Sequence, residues 1–110
     1  MNRLLALLTL ALAVTACGSR EDHTAAGLYK GSCARCHGID GKGDRRSVNL
    51  YPRLDLTTSP LIQKRARGAV YQRISEGYGP MPGFAHRFDQ DEIGSLVDFT
   101  LRFAQQKAGR

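Results

Sequence analysis

The clearest apolar periodicity lies near the C-terminal end. Ile93, Leu96, Val97 and Leu101 recur at helical spacing, and Phe99 and Phe103 widen the stripe. The stretch F-D-Q-D-E-I at 88–93 marks where this helix starts. Asp89 is the expected N-cap, with Glu92 three residues later as in a capping box. Phe88 before the cap and Ile93 after it are placed to form a hydrophobic staple. A second pattern runs through residues 59–76. Val70, Tyr71 and Ile74 share a face, Gly77 is placed as a stop, and Ser59-Pro60 reads as an N-cap followed by proline at the first helical position. This segment is expected as one broken helix or two short ones, divided near Gly68. A third helix is expected from a cap at Thr24 or Asp22 through Tyr29 to residue 37. No strand alternation and no internal repeat stand out, so the expected fold class is all-α.

The N-terminus departs from this amphipathic pattern. Arg3 is followed by an apolar run from Leu4 to Val14, interrupted only by Thr9. That length suits the central region of a signal peptide and is too short to cross a bilayer. A buried N-terminal helix is the alternative. Small residues and a cysteine follow at once, in V-T-A-C-G-S at 14–19. The stretch resembles the lipobox of bacterial lipoproteins, which implies cleavage before Cys17 and lipidation of its thiol. Two or three acyl chains would suffice for stable anchoring. An ordinary secretory signal ending near Ala16 would instead leave Cys17 free. Both routes take the protein out of the cytosol. Residues 1–16 are therefore assigned to the signal peptide and 17–24 to anchor and tether. The folded domain is assigned to 25–105 and a polar tail to 106–110. The tether G-S-R-E-D-H-T spans roughly 15 Å as a flexible chain, and His23 is expected to do nothing specific in it.

Composition changes the picture little. The 110 residues are 42% hydrophobic and 24% charged, with a formal net charge of +6. One positive charge leaves with Arg3. A basic balance favours acidic partners or an anionic surface, and Lys64, Arg65, Arg67 and Arg73 form either a docking patch or a plain solvated helix face. No aromatic residues cluster beside the basic ones for base stacking, so nucleic acid is not an expected partner.

Cysteine placement changes the picture most. Of three cysteines, Cys33 and Cys36 stand in C-A-R-C-H-G. A C-x-x-C pair can be a redox dithiol, but no βαβ pattern surrounds it. It can be half of a zinc site, but His23 and His86 lack the spacing to complete one. With His37 immediately after, C-x-x-C-H is the signature of c-type haem attachment. Residues i, i+3 and i+4 share one side of a helix. Cys33 and Cys36 are thus placed to reach two haem vinyls as thioethers, and His37 to meet the iron.

The wider stretch, Y-K-G-S-C-A-R-C-H-G-I-D-G-K-G-D at 29–44, resembles the small monohaem class I cytochromes c over roughly residues 25–105. The resemblance implies the class I cytochrome c fold, a few short helices around one covalently attached haem c. It also implies an aromatic, here Tyr29, that packs the first helix on the last; Ala25 stands where the family often has glycine. Met/His ligation is usual in electron-transfer cytochromes c. Met1 is lost with the signal, which leaves Met81. Its surroundings, G-Y-G-P-M-P-G-F at 77–84, resemble the family's methionine loop, with Pro80 and Pro82 fixing φ on either side. His86 is the alternative sixth ligand, and an open position is another. Pro52 is either the family proline whose carbonyl steadies the proximal histidine or an ordinary loop proline.

The expected function is that of a lipid-anchored electron carrier, exported and facing the periplasm or the outer face of the cell membrane. It would act as a monomer with redox-protein partners of acidic surface, alone or as the haem subunit of an oxidoreductase complex. No catalytic residues are assigned, because no nucleophile–base pair or paired carboxylates are evident. The alternative is a gas-binding or peroxidase-like haem protein, with His86 and Tyr78 as distal groups.

Overall fold

The computed structural model describes residues 22–107. The expected signal peptide, residues 1–16, and Cys17 lie outside the described residues. Five α-helices follow in order: α1 (Ala25–Ser32), α2 (Ala34–His37), α3 (Pro60–Gln63), α4 (Arg67–Glu76) and α5 (Gln90–Leu101). Short 3-10 turns cover Pro52–Leu54, Leu56–Thr58 and Arg102–Lys107. Among the described residues there is no β-strand, only an isolated bridge between Tyr78 and Met81. No helix among them is long and apolar enough to cross a membrane.

Helix α5 starts as its sequence dictates. The Asp89 carboxylate accepts from the Glu92 N–H at 2.8 Å, and Glu92 accepts from the Asp89 N–H at 2.9 Å. A cap of this kind contributes about 1 kcal/mol. The apolar stripe then faces inward, with Ile93, Leu96, Val97 and Leu101 all buried. Burying each such side chain contributes roughly 1.5–3 kcal/mol, so this helix is the spine of the core. Both α1 and α4 pack against it.

Helix α1 is capped by Thr24, whose hydroxyl accepts from the Gly27 N–H at 3.1 Å. Tyr29 is fully buried on its inner face. Its ring meets Phe99 at 4.9 Å and Phe103 at 5.4 Å between centroids. Aromatic pairs add about 0.5–1.5 kcal/mol beyond area burial, so three rings lock the first helix to the last.

Three details differ from expectation. The break between α3 and α4 falls at residues 64–66, where Arg65 takes φ 52°, and Gly68 lies within α4. A left-handed arginine is uncommon, which is why residue type placed the break at glycine instead. His23 does not hang in a tether: its Nδ1 lies 3.0 Å from Glu92 Oε1, so one carboxylate both caps α5 and holds the start of the chain's described part. The last 3-10 turn runs to Lys107, past the expected domain end at 105.

Candidate metal centre

The C-x-x-C-H turn is built on the end of α1. Cys33 closes α1, donating its N–H to the Tyr29 carbonyl at 2.8 Å, and at once opens α2. The His37 N–H returns to the Cys33 carbonyl at 2.9 Å, so Cys33, Cys36 and His37 sit on one helical turn. Two bonds fasten the following loop back onto this turn: Gly43 N–H to His37 O at 2.8 Å and Asp44 N–H to Cys36 O at 2.9 Å. The Tyr29 hydroxyl adds a third tie, donating to the Gly38 carbonyl at 2.7 Å. Burial pushes the Tyr29 phenol well above the ordinary tyrosine range, so it stays a donor. Gly41 allows the loop to close on the C-terminus: its φ is 74°, and a Cβ there would lie 2.7 Å from the Phe103 ring.

The histidine is oriented by backbone. His37 Nδ1 lies 2.9 Å from the Leu54 carbonyl oxygen. A carbonyl only accepts, so Nδ1 carries the proton and Nε2 keeps its lone pair for a metal. Pro52 is not the residue that steadies His37. It opens the 3-10 turn, and its carbonyl takes the Asp55 N–H at 3.1 Å. The winding of that turn carries the accepting carbonyl two residues onward, to Leu54.

The two thiols are unpaired and differ in setting: Cys33 is half-buried and Cys36 exposed. Burial, helped by the nearby Cys36, pushes the Cys33 thiol up to about 11. A redox dithiol works through a lowered thiol pKa, so this environment disfavours the dithiol alternative. No three His, Cys, Asp or Glu side chains among the described residues converge as a metal-binding set.

Met81 packs against the hydrophobic core, whereas His86 is exposed on the turn beyond it. The methionine loop is anchored at both ends. After it, the Phe84 N–H bonds the Ile74 carbonyl at 2.9 Å and the Phe84 ring is buried. Before it, Gly77 takes φ 80°, and a Cβ there would stand 2.4 Å from the Met81 carbonyl oxygen. Only glycine permits that approach. Tyr78 and Met81 exchange two backbone hydrogen bonds, both of 3.0 Å.

Apolar exposure supplies the test of fit for a haem. Among the described residues, the large hydrophobic ones left open are Ile39 (66% exposed), Leu50 (77%), Tyr51 (60%) and Tyr78 (54%). Ile39 lies two residues after His37, Tyr51 three before Leu54, and Tyr78 three before Met81. Uncovered apolar surface therefore borders the segments that offer ligands. A flat apolar group with an iron at its centre suits both that surface and the donor set of one imidazole, one thioether and two thiols.

The four basic residues differ in their surroundings. Arg67 pairs with Asp98, and the Arg73 guanidinium lies 4.0 Å from the centre of the Tyr78 ring. Lys64 and Arg65 are exposed beside the helix break.

The model of a family described as cytochrome C oxidase, cbb3-type, subunit III matches residues 20–99. Cytochrome c6 of Synechocystis sp. is 25% identical over 79 residues, which are 72% of this chain and 62% of that protein. The chloroplastic cytochrome c6 of Chlamydomonas reinhardtii is 31% identical over 86 residues, 74% of this chain and 53% of its own length. Cytochrome c6 of Microcystis aeruginosa is 25% identical over 81 residues, covering 74% of this chain and 95% of its own. The chain thus spans little more than half the length of two of these relatives. Among solved structures, the KustC0563 c-type cytochrome superposes with a TM-score of 0.61 at 26% identity, over 72% of this chain and 95% of that one.

Proposed function

The chain belongs to the cytochrome c family, with haem c covalently bound, and from that premise we propose that it is a single-electron carrier whose iron is held between His37 and Met81. The observation that carries this reading is the His37 Nδ1–Leu54 carbonyl bond, which leaves Nε2 aimed as a ligand. Cys33 and Cys36 hold the haem through thioethers. The bound iron supplies a ferric/ferrous couple.

The residues around it keep that couple clean. Leu54 fixes the imidazole plane. The bridge from Tyr78 to Met81 holds the thioether-bearing backbone. The core side chains of α1, α4 and α5 exclude water from the face that they cover. The reading as an electron carrier is supported by the c-type cytochromes that the chain resembles.

A carbon monoxide difference spectrum of the reduced holoprotein tests the reading. No spectral change is expected, because a closed six-coordinate iron has no position to give. Rapid carbon monoxide binding would instead favour the gas-binding or peroxidase-like alternative.

Anchoring is part of the proposal. Signal cleavage and lipidation at Cys17 would place the domain at a membrane outside the cytosol, facing redox partners of acidic surface. Cys17→Ser is expected to move the protein from the membrane to the soluble fraction of the exported material. Retention of a fully processed Cys17→Ser protein on membranes would refute the lipid anchor. The matching family's description as an oxidase subunit favours a second form of the same reading, in which the partner is a permanent larger subunit.

A further inference from the structure

Tyr78 is joined to Met81 through the backbone and to two arginines through its ring. Its N–H and carbonyl are bonded to the carbonyl and N–H of Met81, each at 3.0 Å, so the two residues move as one. The Arg73 guanidinium, reaching from α4, lies 4.0 Å from the ring centroid. The Arg53 guanidinium lies 6.0 Å from it and donates to the Tyr78 hydroxyl at 3.4 Å. Arg53 immediately precedes Leu54, whose carbonyl holds His37 Nδ1. A continuous line of contacts thus runs from His37 through residues 54 and 53 to Tyr78 and Met81.

We propose that Tyr78, gripped between Arg73 and Arg53, is a positioning residue for Met81 and ties the two ligand-bearing segments into one unit. The ring is about half exposed and buries little apolar surface of its own. What holds it is the attraction of Arg73 for its π face at 4.0 Å, with Arg53 at the edge of that range and bonded to the hydroxyl. The tyrosine is therefore chosen for its face, and a leucine of similar bulk would not replace it. The inference rests on Met81 being the sixth ligand.

Imidazole titration of the ferric holoprotein tests it, since imidazole enters only when the methionine loop opens. Tyr78→Leu is expected to raise the apparent imidazole affinity about fivefold, as loss of two contacts of this type implies. Tyr78→Phe keeps the ring face and loses the 3.4 Å bond from Arg53, so it is expected to fall between wild type and Tyr78→Leu. Arg73→Gln combined with Tyr78→Leu should bind imidazole no more tightly than Tyr78→Leu alone, because both remove the same contact. If Tyr78→Leu yields no holoprotein, the surface variants Arg73→Gln and Arg53→Gln carry the same comparison.

Wild-type affinity in Tyr78→Leu, or strictly additive effects in the pair, would overturn the proposal. The deep-red charge-transfer band of thioether-ligated ferric haem separates this failure from the other. Absence of the band in wild type would remove Met81 as ligand. Its presence, with imidazole affinities unchanged across the variants, would remove the clasp alone.

Discussion

His37→Ala is expected to abolish accumulation of mature, low-spin holoprotein. The side chain is the candidate iron ligand on the C-x-x-C-H turn, and its loss acts twice. It removes the imidazole from the iron, and it frees the Leu54 carbonyl that His37 Nδ1 engages at 2.9 Å. Removing an outer-shell partner of a metal ligand typically costs about 10- to 100-fold in affinity or activity. Removing the ligand itself should cost at least about 100-fold in holoprotein yield. The remaining fold is poorly placed to compensate, because Ile39, Leu50 and Tyr51 lose the group expected to cover them. Absorption spectra and haem-stained gels of the exported fraction would measure the effect. A mature, low-spin His37→Ala protein would show that another residue ligates the iron.

Met81→Ala should have a different signature. The thiols at Cys33 and Cys36 are untouched, so haem stays attached. The thioether that favours ferrous iron is gone, and the reduction potential should fall by on the order of 0.1–0.2 V, within the ~0.8 V span that axial ligands control. At roughly 59 mV per tenfold for one electron, that is two to three powers of ten in the redox equilibrium. The vacated position should bind carbon monoxide rapidly in the reduced state. The loop itself should persist, since Phe84 remains buried and bonded to the Ile74 carbonyl. Potentiometric titration beside wild type is the measurement. An unchanged potential with no carbon monoxide binding would exclude Met81 as the ligand.

How much of this was legible in the sequence depended on the range of the forces involved. The capping box at Asp89 and Glu92 was readable because both partners sit within one turn. The C-x-x-C-H turn was readable because its spacing is local and its chemistry rare. The packing of Tyr29 on the last helix was implied by the family resemblance, while its partners, Phe99 and Phe103, came from the structure. The carbonyl behind His37 was misplaced. Proline marks the start of a turn, but the turn's winding decides which carbonyl faces back, and that proved to be Leu54. The helix break was expected near glycine and fell at Arg65, because a positive φ on arginine carries no compositional signal. The arginines around Tyr78 were not legible at all. Arg53, Arg73 and Tyr78 come from three separate segments, and only the tertiary fold brings them to one ring.

The lock of Tyr29 on Phe99 and Phe103 also joins distant parts of the chain. It links the first described helix to the C-terminal one, a closure whose entropic cost must be met before the contact rewards it. Until α5 arrives, the turn carrying Cys33 has no rings to seal it. In the closed fold the Cys33 side chain is half-buried. A chain whose ends have not yet met leaves that attachment point more open than the closed fold does.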